Sequence, residues 1–292
     1  MTGKIIKGIA GFYYIHDGHD KVYACKAKGV FRNRGIKPVV GDNVEFTVLD
    51  ETALEGNIDK ILPRKNVLIR PASANVDQAL VVFAITQPDP NFNLLDRFLI
   101  MMLAQDIPVT ICFNKTDLEN GAKQQEYRSI YEQAGYPVMF VSTYEKSGVE
   151  AVRDYLRGKT TILAGPSGVG KSSLTNLLQP EAAMETGSIS EKIKRGRHTT
   201  RHSELFSIGN DTYLMDTPGF STLYLEGWEK EDLKYYYPEF EAYFEHCRFN
   251  GCNHLSEPDC AVKEAVAAGE ISSERYENYK LFYEELASQR RY

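Results

Sequence analysis

A glycine-rich stretch past the middle of the 292-residue chain decides the fold: Gly165-Pro166-Ser167-Gly168-Val169-Gly170-Lys171-Ser172. A glycine, four free positions and Gly-Lys-Ser stand between an apolar run at residues 160–164 and a helical pattern at 172–178. This context is typical of a phosphate-binding loop, whose backbone N–H groups surround a phosphate. We expect Lys171 to reach the β- and γ-phosphates, Ser172 to ligate Mg²⁺ and Ser173 to join the nucleotide contacts. The stretch therefore predicts a site for a nucleoside triphosphate with Mg²⁺.

Apolar runs and helical patterns alternate on both sides of this loop. The predicted strands are residues 78–85, 109–113, 138–141, 160–164, 204–208 and 212–215, and the predicted helices include 94–104, 124–134, 149–156 and 172–178. Continuous apolar strands that alternate with helices are typical of a mainly parallel sheet covered on both faces. We therefore predict an α/β domain that begins after a linker at residues 63–71.

The first seventy residues instead predict a small all-β barrel. Short strand patterns at residues 4–15, 21–27, 44–49 and 57–62 are separated by turn signals such as Asp17-Gly18 and Gly41-Asp42. An oligonucleotide-binding barrel is one form of such a module. Aromatic residues that could stack on bases or fill the core occur near basic residues that could contact phosphates or solvent, and both interpretations stay open. These residues are Tyr13, Tyr14, Tyr23 and Phe31 with Lys26, Lys28, Arg32 and Arg34.

Composition and charge bound the class of protein. The chain is 42% hydrophobic and 25% charged, an ordinary soluble composition, and its net charge is −6. Residues 1–70 nevertheless hold 12 Lys and Arg against 8 Asp and Glu, which makes the N-terminal part a candidate for a polyanionic partner. No apolar run approaches the ~18 residues of a membrane span, and no signal-peptide core follows Met1. We expect a cytoplasmic, monomeric protein that does not bind a membrane.

Polar residues follow two of the predicted strands at the points where those strands end. Asn114-Lys115-Thr116-Asp117 comes after residues 109–113 and resembles the guanine-specificity motif of GTPases. A carboxylate at Asp117 accepts hydrogen bonds from guanine N1–H and the 2-amino group, a donor pair that adenine lacks. Asn114 is expected to support the loop and Lys115 to lie along the ring. Ser142-Thr143, after residues 138–141, resembles the element whose backbone amide meets the guanine oxygen.

Two further elements follow the phosphate loop. Asp216-Thr217-Pro218-Gly219 resembles the element whose Asp orients Mg²⁺ and whose Gly amide meets the γ-phosphate. Between the phosphate loop and this element, Gly196-Arg197-His198-Thr199-Thr200 lies in a basic segment. We expect Thr200 rather than Thr199 to ligate Mg²⁺. The basic side chains of that segment belong to a solvated loop or to an RNA contact.

Cysteine and histidine residues cluster near the C-terminus. Three of the five cysteines fall within residues 247–260, and Cys247, Cys252, His254 and Cys260 supply three thiolates and an imidazole. Four protein ligands complete a tetrahedral Zn²⁺ site and leave no open position, so the metal is predicted to be structural. Helices are predicted around it at residues 233–244, 260–268 and 273–288. Cys25 and Cys112 lie in strand patterns and are expected in the core.

The order of these elements is the most informative property of the chain. The base motif precedes the phosphate loop and the switch elements follow it, whereas ordinary GTPases begin with the phosphate loop. With a basic β domain in front and a Cys/His cluster behind, the chain resembles the bacterial small-ribosomal-subunit-dependent, circularly permuted GTPases, which are late assembly factors. The resemblance implies residues 1–68 as a β-barrel RNA-binding domain, 69–223 as the permuted GTPase domain and 224–292 as a helical zinc domain.

The resemblance also implies partners and a mechanism. The partners it implies for this chain are GTP and GDP, the small ribosomal subunit and the rRNA of that subunit. Binding of the subunit is expected to accelerate hydrolysis. Phe220 stands where many GTPases carry the Gln that orients the attacking water, so His198 becomes the proposed water-positioning residue. The alternatives are a nucleotide-switched RNA-binding scaffold with negligible turnover and a phosphate-loop ATPase or kinase.

Overall fold

The computed structural model describes residues 1–29, 31, 37–69, 72–179, 204–216, 225 and 228–289. The chain divides into two compact units, one made of Met1–Leu80, Gly148–Ala164 and Lys171–Gly219 and the other of Val81–Ser147, Gly165–Gly170 and Phe220–Tyr292. No helix among the described residues has both the length and the apolar character that crossing a membrane requires.

The N-terminal strands close into a five-stranded barrel in the order β1-β2-β3-β5-β4. They are β1 (Thr2–Ile9), β2 (Phe12–His16), β3 (Val22–Ala27), β4 (Asn43–Asp50) and β5 (Glu55–Ile61). The β3–β5 pair is parallel, and the other four pairs are antiparallel. The predicted all-β barrel is confirmed.

One predicted strand is in fact a hairpin. Residues 4–15 divide into β1 and β2 at Ala10-Gly11, where both residues have positive φ, 51° and 86°. A two-residue hairpin turn of this hand matches the right-handed twist of the flanking strands. Ala10 stands where Asn or Asp usually marks such a turn, so the strand pattern continues through it, and the prediction of one strand at residues 4–15 was wrong.

The aromatic residues of the barrel divide between its core and its surface. Tyr23 and Phe31 are buried with Ile5, Val44, Phe46 and Ile58, and the Tyr23 and Phe46 rings lie 5.2 Å apart. Buried rings cannot stack on bases, so for these two residues the core interpretation holds. Phe12 is partly exposed, with the Lys26 ammonium 4.9 Å from its ring centre. Arg32 and Arg34 lie outside the described residues.

A six-stranded sheet carries the phosphate loop, in the order β10-β9-β8-β11-β13-β12. Its strands are β8 (Gln78–Ala84), β9 (Val109–Asn114), β10 (Val138–Phe140), β11 (Thr160–Ala164), β12 (Glu204–Ser207) and β13 (Tyr213–Asp216). The β9–β10 and β11–β13 pairs are parallel, whereas β12 and β13 are antiparallel. These strands confirm the predicted α/β domain. A two-residue ladder joins β6 (Val67–Leu68), which lies within the predicted linker at residues 63–71, to β7 (Ser73–Ala74), which follows that linker.

The helices follow the predicted pattern with one correction. They are α1 (Phe92–Leu103), α2 (Ala122–Gln133), α3 (Val149–Leu156), α4 (Lys171–Leu178), α5 (Ala261–Ala268) and α6 (Ser273–Ser288). The single helix predicted at residues 233–244 is instead two 3₁₀ segments, Lys230–Tyr236 and Pro238–His246. Proline disfavours helical backbone in the residue before it, and Tyr237 has ψ 89°.

The C-terminal region has its own apolar core, built largely from the aromatic stripe of α6. Tyr276, Tyr279, Phe282 and Leu286 are buried against Phe240 and the cysteine cluster. Arg275 lies inside this region with 1% of its side chain exposed, and it pairs with Asp96 of α1 and Glu239 at 2.5 Å each. A buried ion-pair network therefore joins α6 to α1.

Candidate functional site

The glycines at the two ends of the phosphate loop fit positions that a side chain could not occupy. Gly165 has φ 139°, and a Cβ there would lie 2.0 Å from the carbonyl oxygen of Val82. Gly170 has φ 93°, and its Cβ would lie 2.2 Å from Nδ2 of Asn114. Positive φ and close backbone approach both require glycine. The loop is therefore held against β8 on one side and the predicted base motif on the other.

Asn114 links the phosphate loop to the predicted base-binding loops. Its Nδ2 donates to the carbonyl oxygen of Val169 at 2.9 Å and to Oγ1 of Thr143 at 3.3 Å. Its Oδ1 accepts from the backbone N–H of Thr143 at 3.1 Å. The side chain is fully buried, so these bonds replace the water that it gives up. Three loops distant in the sequence are thus joined through one amide.

Asp117 is oriented by the loop that contains Ser142 and Thr143. Its Oδ1 accepts a short hydrogen bond from Oγ of Ser142, and Ser142 Oγ accepts from the backbone N–H of Glu145 at 3.0 Å. An open cavity of about 530 Å³ lies beside Asp117 and is also lined by Leu118, Glu119, Asn120 and Lys123. A carboxylate at the wall of an open cavity can accept hydrogen bonds from an entering base.

Lys115 and Thr116 complete the turn after β9. Lys115 adopts a left-handed backbone with φ 68°, and its Nζ donates to the carbonyl oxygen of Gln87. The Thr116 backbone N–H donates to Val141 at 3.2 Å. The contact with Gln87 was not predicted, because Gln87 contributes a backbone carbonyl oxygen, which the sequence pattern does not reveal.

The phosphate end of the loop is accessible. Ser167 and Gly168 are exposed, and Lys171 begins α4 with the exposed Ser172 and Ser173 after it. A helix N-terminus carries unpaired N–H groups and a partial positive charge, which favour an anion. The Ser172 hydroxyl is a hard oxygen donor at this end and fits Mg²⁺. When bound, Mg²⁺ would neutralise charge on the phosphate oxygens, while Lys171 and the loop amides hold them.

Several predicted residues fall outside the described part of the chain. His198, Thr199, Thr200, Gly219 and Phe220 are among them. Asp216 is the last residue of β13, and its backbone pairs with Leu163 on one side and Glu204 on the other. This register brings the start of the predicted Asp-x-x-Gly element next to the strand that leads into the phosphate loop.

The cysteine and histidine side chains near the C-terminus converge as a potential zinc site. The ligand atoms of Cys247, Cys252, His254 and Cys260 all lie within 4.8 Å of one another. Cys247 Sγ and Cys260 Sγ are 3.9 Å apart, and His254 Nδ1 lies 3.4 and 3.6 Å from Sγ of Cys260 and Cys247. Tetrahedral Zn²⁺ with Zn–S bonds of ~2.3 Å requires sulfur separations of about 3.8 Å. The four side chains therefore fit the metal.

Hydrogen bonds to the backbone hold this cluster in place. Tyr276 and Tyr279 donate their hydroxyls to the carbonyl oxygens of His254 and Asn253, each at 2.7 Å. The Lys234 ammonium donates to the carbonyl oxygen of Cys252 at 3.0 Å. Burial lowers the pKa of His254 to about 4, so its imidazole is neutral at pH 7, as a ligand must be. Burial also raises the pKa of Cys252 to about 12, so metal binding must displace its proton.

The loop geometry and strand order together define a class, the circularly permuted phosphate-loop GTPases. Comparison with known proteins gives the family. The family model described as RsgA GTPase matches residues 61–226, and the RsgA N-terminal domain model matches residues 2–58. The chain belongs to the RsgA GTPase family and is a GTP hydrolase.

Relatives and solved structures cover the whole chain. A small ribosomal subunit biogenesis GTPase RsgA from Agathobacter rectalis is 60% identical, with 100% of each chain covered, and one from Alkaliphilus metalliredigens is 49% identical, with 99% of each covered. The crystal structure of YloQ, a circularly permuted GTPase, matches with a TM-score of 0.79 at 39% identity over 100% of this chain and 96% of that one. YjeQ from Thermotoga maritima gives 0.81 at 35% identity over 99% of each. The permuted element order is confirmed.

Proposed function

We propose that this GTPase acts in late assembly of the small ribosomal subunit and that the subunit stimulates its turnover. The names of the full-length relatives support the subunit as partner. The observation that supports nucleotide binding is the Asn114 amide, which links the phosphate loop at Val169 to the predicted base-binding loop at Thr143. Such a link lets one ligand satisfy both ends of the site, as GTP or GDP would. The family assignment favours this function over an ATPase or kinase.

Specific residues take the roles that the sequence suggests. Asp117 selects guanine, the Ser142 and Thr143 loop meets its oxygen, and Lys171 holds the β- and γ-phosphates. Ser172, Thr200 and Asp216 hold Mg²⁺, Gly219 meets the γ-phosphate, and His198 positions the attacking water in place of the absent Gln. Turnover is slow until a partner binds and brings His198 to the attacking water.

The division into domains follows the same proposal. Residues 1–68 form an RNA-binding barrel, 69–223 the permuted GTPase domain and 224–292 the zinc domain, in a cytoplasmic monomer that binds no membrane. The basic excess of residues 1–70 supports the barrel as the part that contacts rRNA.

GTP hydrolysis with and without purified small ribosomal subunits tests the function. We expect the subunit to raise the multiple-turnover rate of the wild-type protein by at least tenfold. An unchanged rate would overturn the stimulated hydrolase and favour the nucleotide-switched scaffold.

The matched control is Asp117→Asn with GTP and xanthosine triphosphate. Xanthine keeps the N1–H donor but presents an oxygen at position 2, which an Asn amide can donate to and a carboxylate cannot. The variant should therefore lose GTP turnover and gain subunit-stimulated turnover of the xanthine nucleotide. If GTP use stayed at the wild-type level, Asp117 would not be the base-selecting residue.

A further inference from the structure

An ion pair fastens the barrel to the strand at the edge of the six-stranded sheet. Lys7 on β1 places its Nζ 2.9 Å from Oε2 of Glu204, the first residue of β12. Each side chain is 33% exposed, so water only partly screens the pair. The basic segment that contains His198 ends just before Glu204 in the sequence.

A second polar contact lies one strand further into the sheet. His16 on β2 is buried, and its Nδ1 lies 2.9 Å from the hydroxyl of Tyr213 on β13. The Gly18 backbone N–H donates to the same Nδ1, so this nitrogen is an acceptor and Tyr213 donates. The Lys4 ammonium lies 5.4 Å from the centre of the Tyr213 ring. Polar groups of β1 and β2 thus contact both β12 and β13.

These contacts reach the catalytic elements in few steps. Glu204 pairs in register with Asp216, the proposed Mg²⁺-orienting residue, and Asp216 pairs with Leu163 of the strand that enters the phosphate loop. Tyr213 begins the same strand three positions before Asp216. A cavity of about 460 Å³, lined among others by Lys4, His16 and Tyr213, opens beside the contacts. Polar contacts of His16 and Lys4 with Tyr213 therefore join the barrel to β13 beside this cavity.

We propose that Lys7 and Glu204 form a coupling pair that transmits partner binding at the barrel to the hydrolysis site, an inference that rests on the proposed function. The pair fixes the start of β12 relative to the barrel, and β12 holds the backbone of Asp216 in register. When rRNA positions the barrel, the same pair positions Glu204, the first described residue after the His198 segment in the sequence. Lys7 and Glu204 are positioning residues and contact no nucleotide in this scheme.

Charge reversal in the full-length protein tests the pair. Lys7→Glu and Glu204→Lys should each lower the subunit-stimulated kcat about two- to fivefold, the range for a partly exposed ion pair. Nucleotide Kd and cosedimentation with the subunit should stay at wild-type values. The double variant Lys7→Glu/Glu204→Lys should restore at least half of the lost stimulation, because it re-forms the pair with reversed sign.

The control separates coupling from the general charge of the barrel. Lys60 and Glu45 form a more exposed pair at 3.5 Å between β5 and β4, which are both strands of the barrel. Lys60→Glu removes the same positive charge from the barrel but should leave stimulation of the bound complex unchanged. Hydrogen exchange with a GTP analogue adds a second measurement, in which Lys7→Glu, and not Lys60→Glu, should speed exchange across Glu204–Ser207.

The outcomes distinguish the two proposals. A wild-type GTP hydrolysis rate that is the same with and without the subunit would overturn both the proposed function and the coupling. Stimulation of the single variants at the wild-type level, or a double variant no better than the singles, would overturn the coupling alone. Unchanged exchange across β12 in Lys7→Glu would show that the ion pair does not hold this strand.

Discussion

The buried pair of Arg275 and Asp96 predicts a large, pH-dependent loss of stability in Arg275→Met. The guanidinium is shared by two carboxylates, since it also contacts Glu239, and Asn278 donates to Asp96 at 2.7 Å. Removing this guanidinium takes away the cation that the buried carboxylates of Asp96 and Glu239 share. Loss of one partner from such a network costs about 3–5 kcal/mol. We expect a loss in this range at pH 8.

The pH dependence follows from Asp96. Burial raises the pKa of its carboxyl to about 6, from an ordinary value of 3.8. A carboxyl whose folded pKa is raised binds its proton more tightly when folded, so it stabilises the fold at low pH and loses that contribution as pH rises through about 6. Without Arg275 the carboxylates take up protons still more readily. The penalty of Arg275→Met should therefore be about 1–2 kcal/mol smaller at pH 5 than at pH 8.

Urea unfolding followed by tryptophan fluorescence measures this effect locally. Trp228 is the only tryptophan, and its ring lies 4.6 Å from that of Tyr236, against the C-terminal core. A local probe is needed because a multidomain chain does not unfold in two states. Lys280→Met, which breaks an exposed pair with Glu277 on α6, is the control and should change stability by less than about 0.5 kcal/mol.

Two results would refute the reasoning about this network. One is a loss below about 1 kcal/mol in Arg275→Met at pH 8, which would mean that water reaches the carboxylates. The other is a double variant Arg275→Met/Asp96→Asn that is less stable than Arg275→Met, since neutralising Asp96 should recover part of the loss.

Gly170→Ala should weaken binding of a fluorescent GDP analogue about 10- to 100-fold, because its Cβ would displace Asn114 and the backbone is left-handed. Gly135→Ala, also at positive φ but with no atom within 4 Å of its Cβ, should leave affinity unchanged, and equal effects in both would discount the Asn114 contact. Removal of zinc by a chelator should shift Trp228 fluorescence toward the unfolded value, and added Zn²⁺ should reverse the shift. Two results together would contradict this: elemental analysis that finds less than one zinc per chain in the purified protein, and Trp228 fluorescence that the chelator does not change.

Much of the fold was predictable because its signals are local. The buried strands β8, β9 and β11 are continuous apolar runs, and the glycine pattern of the phosphate loop needs no tertiary information. The errors arose where one local signal overrode another. Pro238 splits a predicted helix into two 3₁₀ segments, and Ala10-Gly11 forms a turn inside a predicted strand.

The contacts that assemble the site were not predictable, because they join residues far apart in sequence. Helical spacing places Arg275 on the same face as Tyr279 and Phe282, but nothing local indicates the two carboxylates that pair with its buried charge. Lys7 and Glu204, 197 positions apart, lie on strands of two different sheets and meet only in the folded chain. The motif residues could be found by pattern, whereas the side chains that support them depend on tertiary structure.

The bond from Asn114 to Val169 also constrains the order of events during synthesis. The two residues are 55 positions apart, and Asn114, which supplies the side-chain amide, is synthesised before Val169. At ~5–20 residues per second, the ribosome adds Asn114 roughly 3–11 s before it adds the Val169 carbonyl group that the Asn114 amide bonds. In the permuted chain, the loop of residues 114–117 therefore leaves the ribosome before the phosphate loop that supplies one of its hydrogen-bond partners.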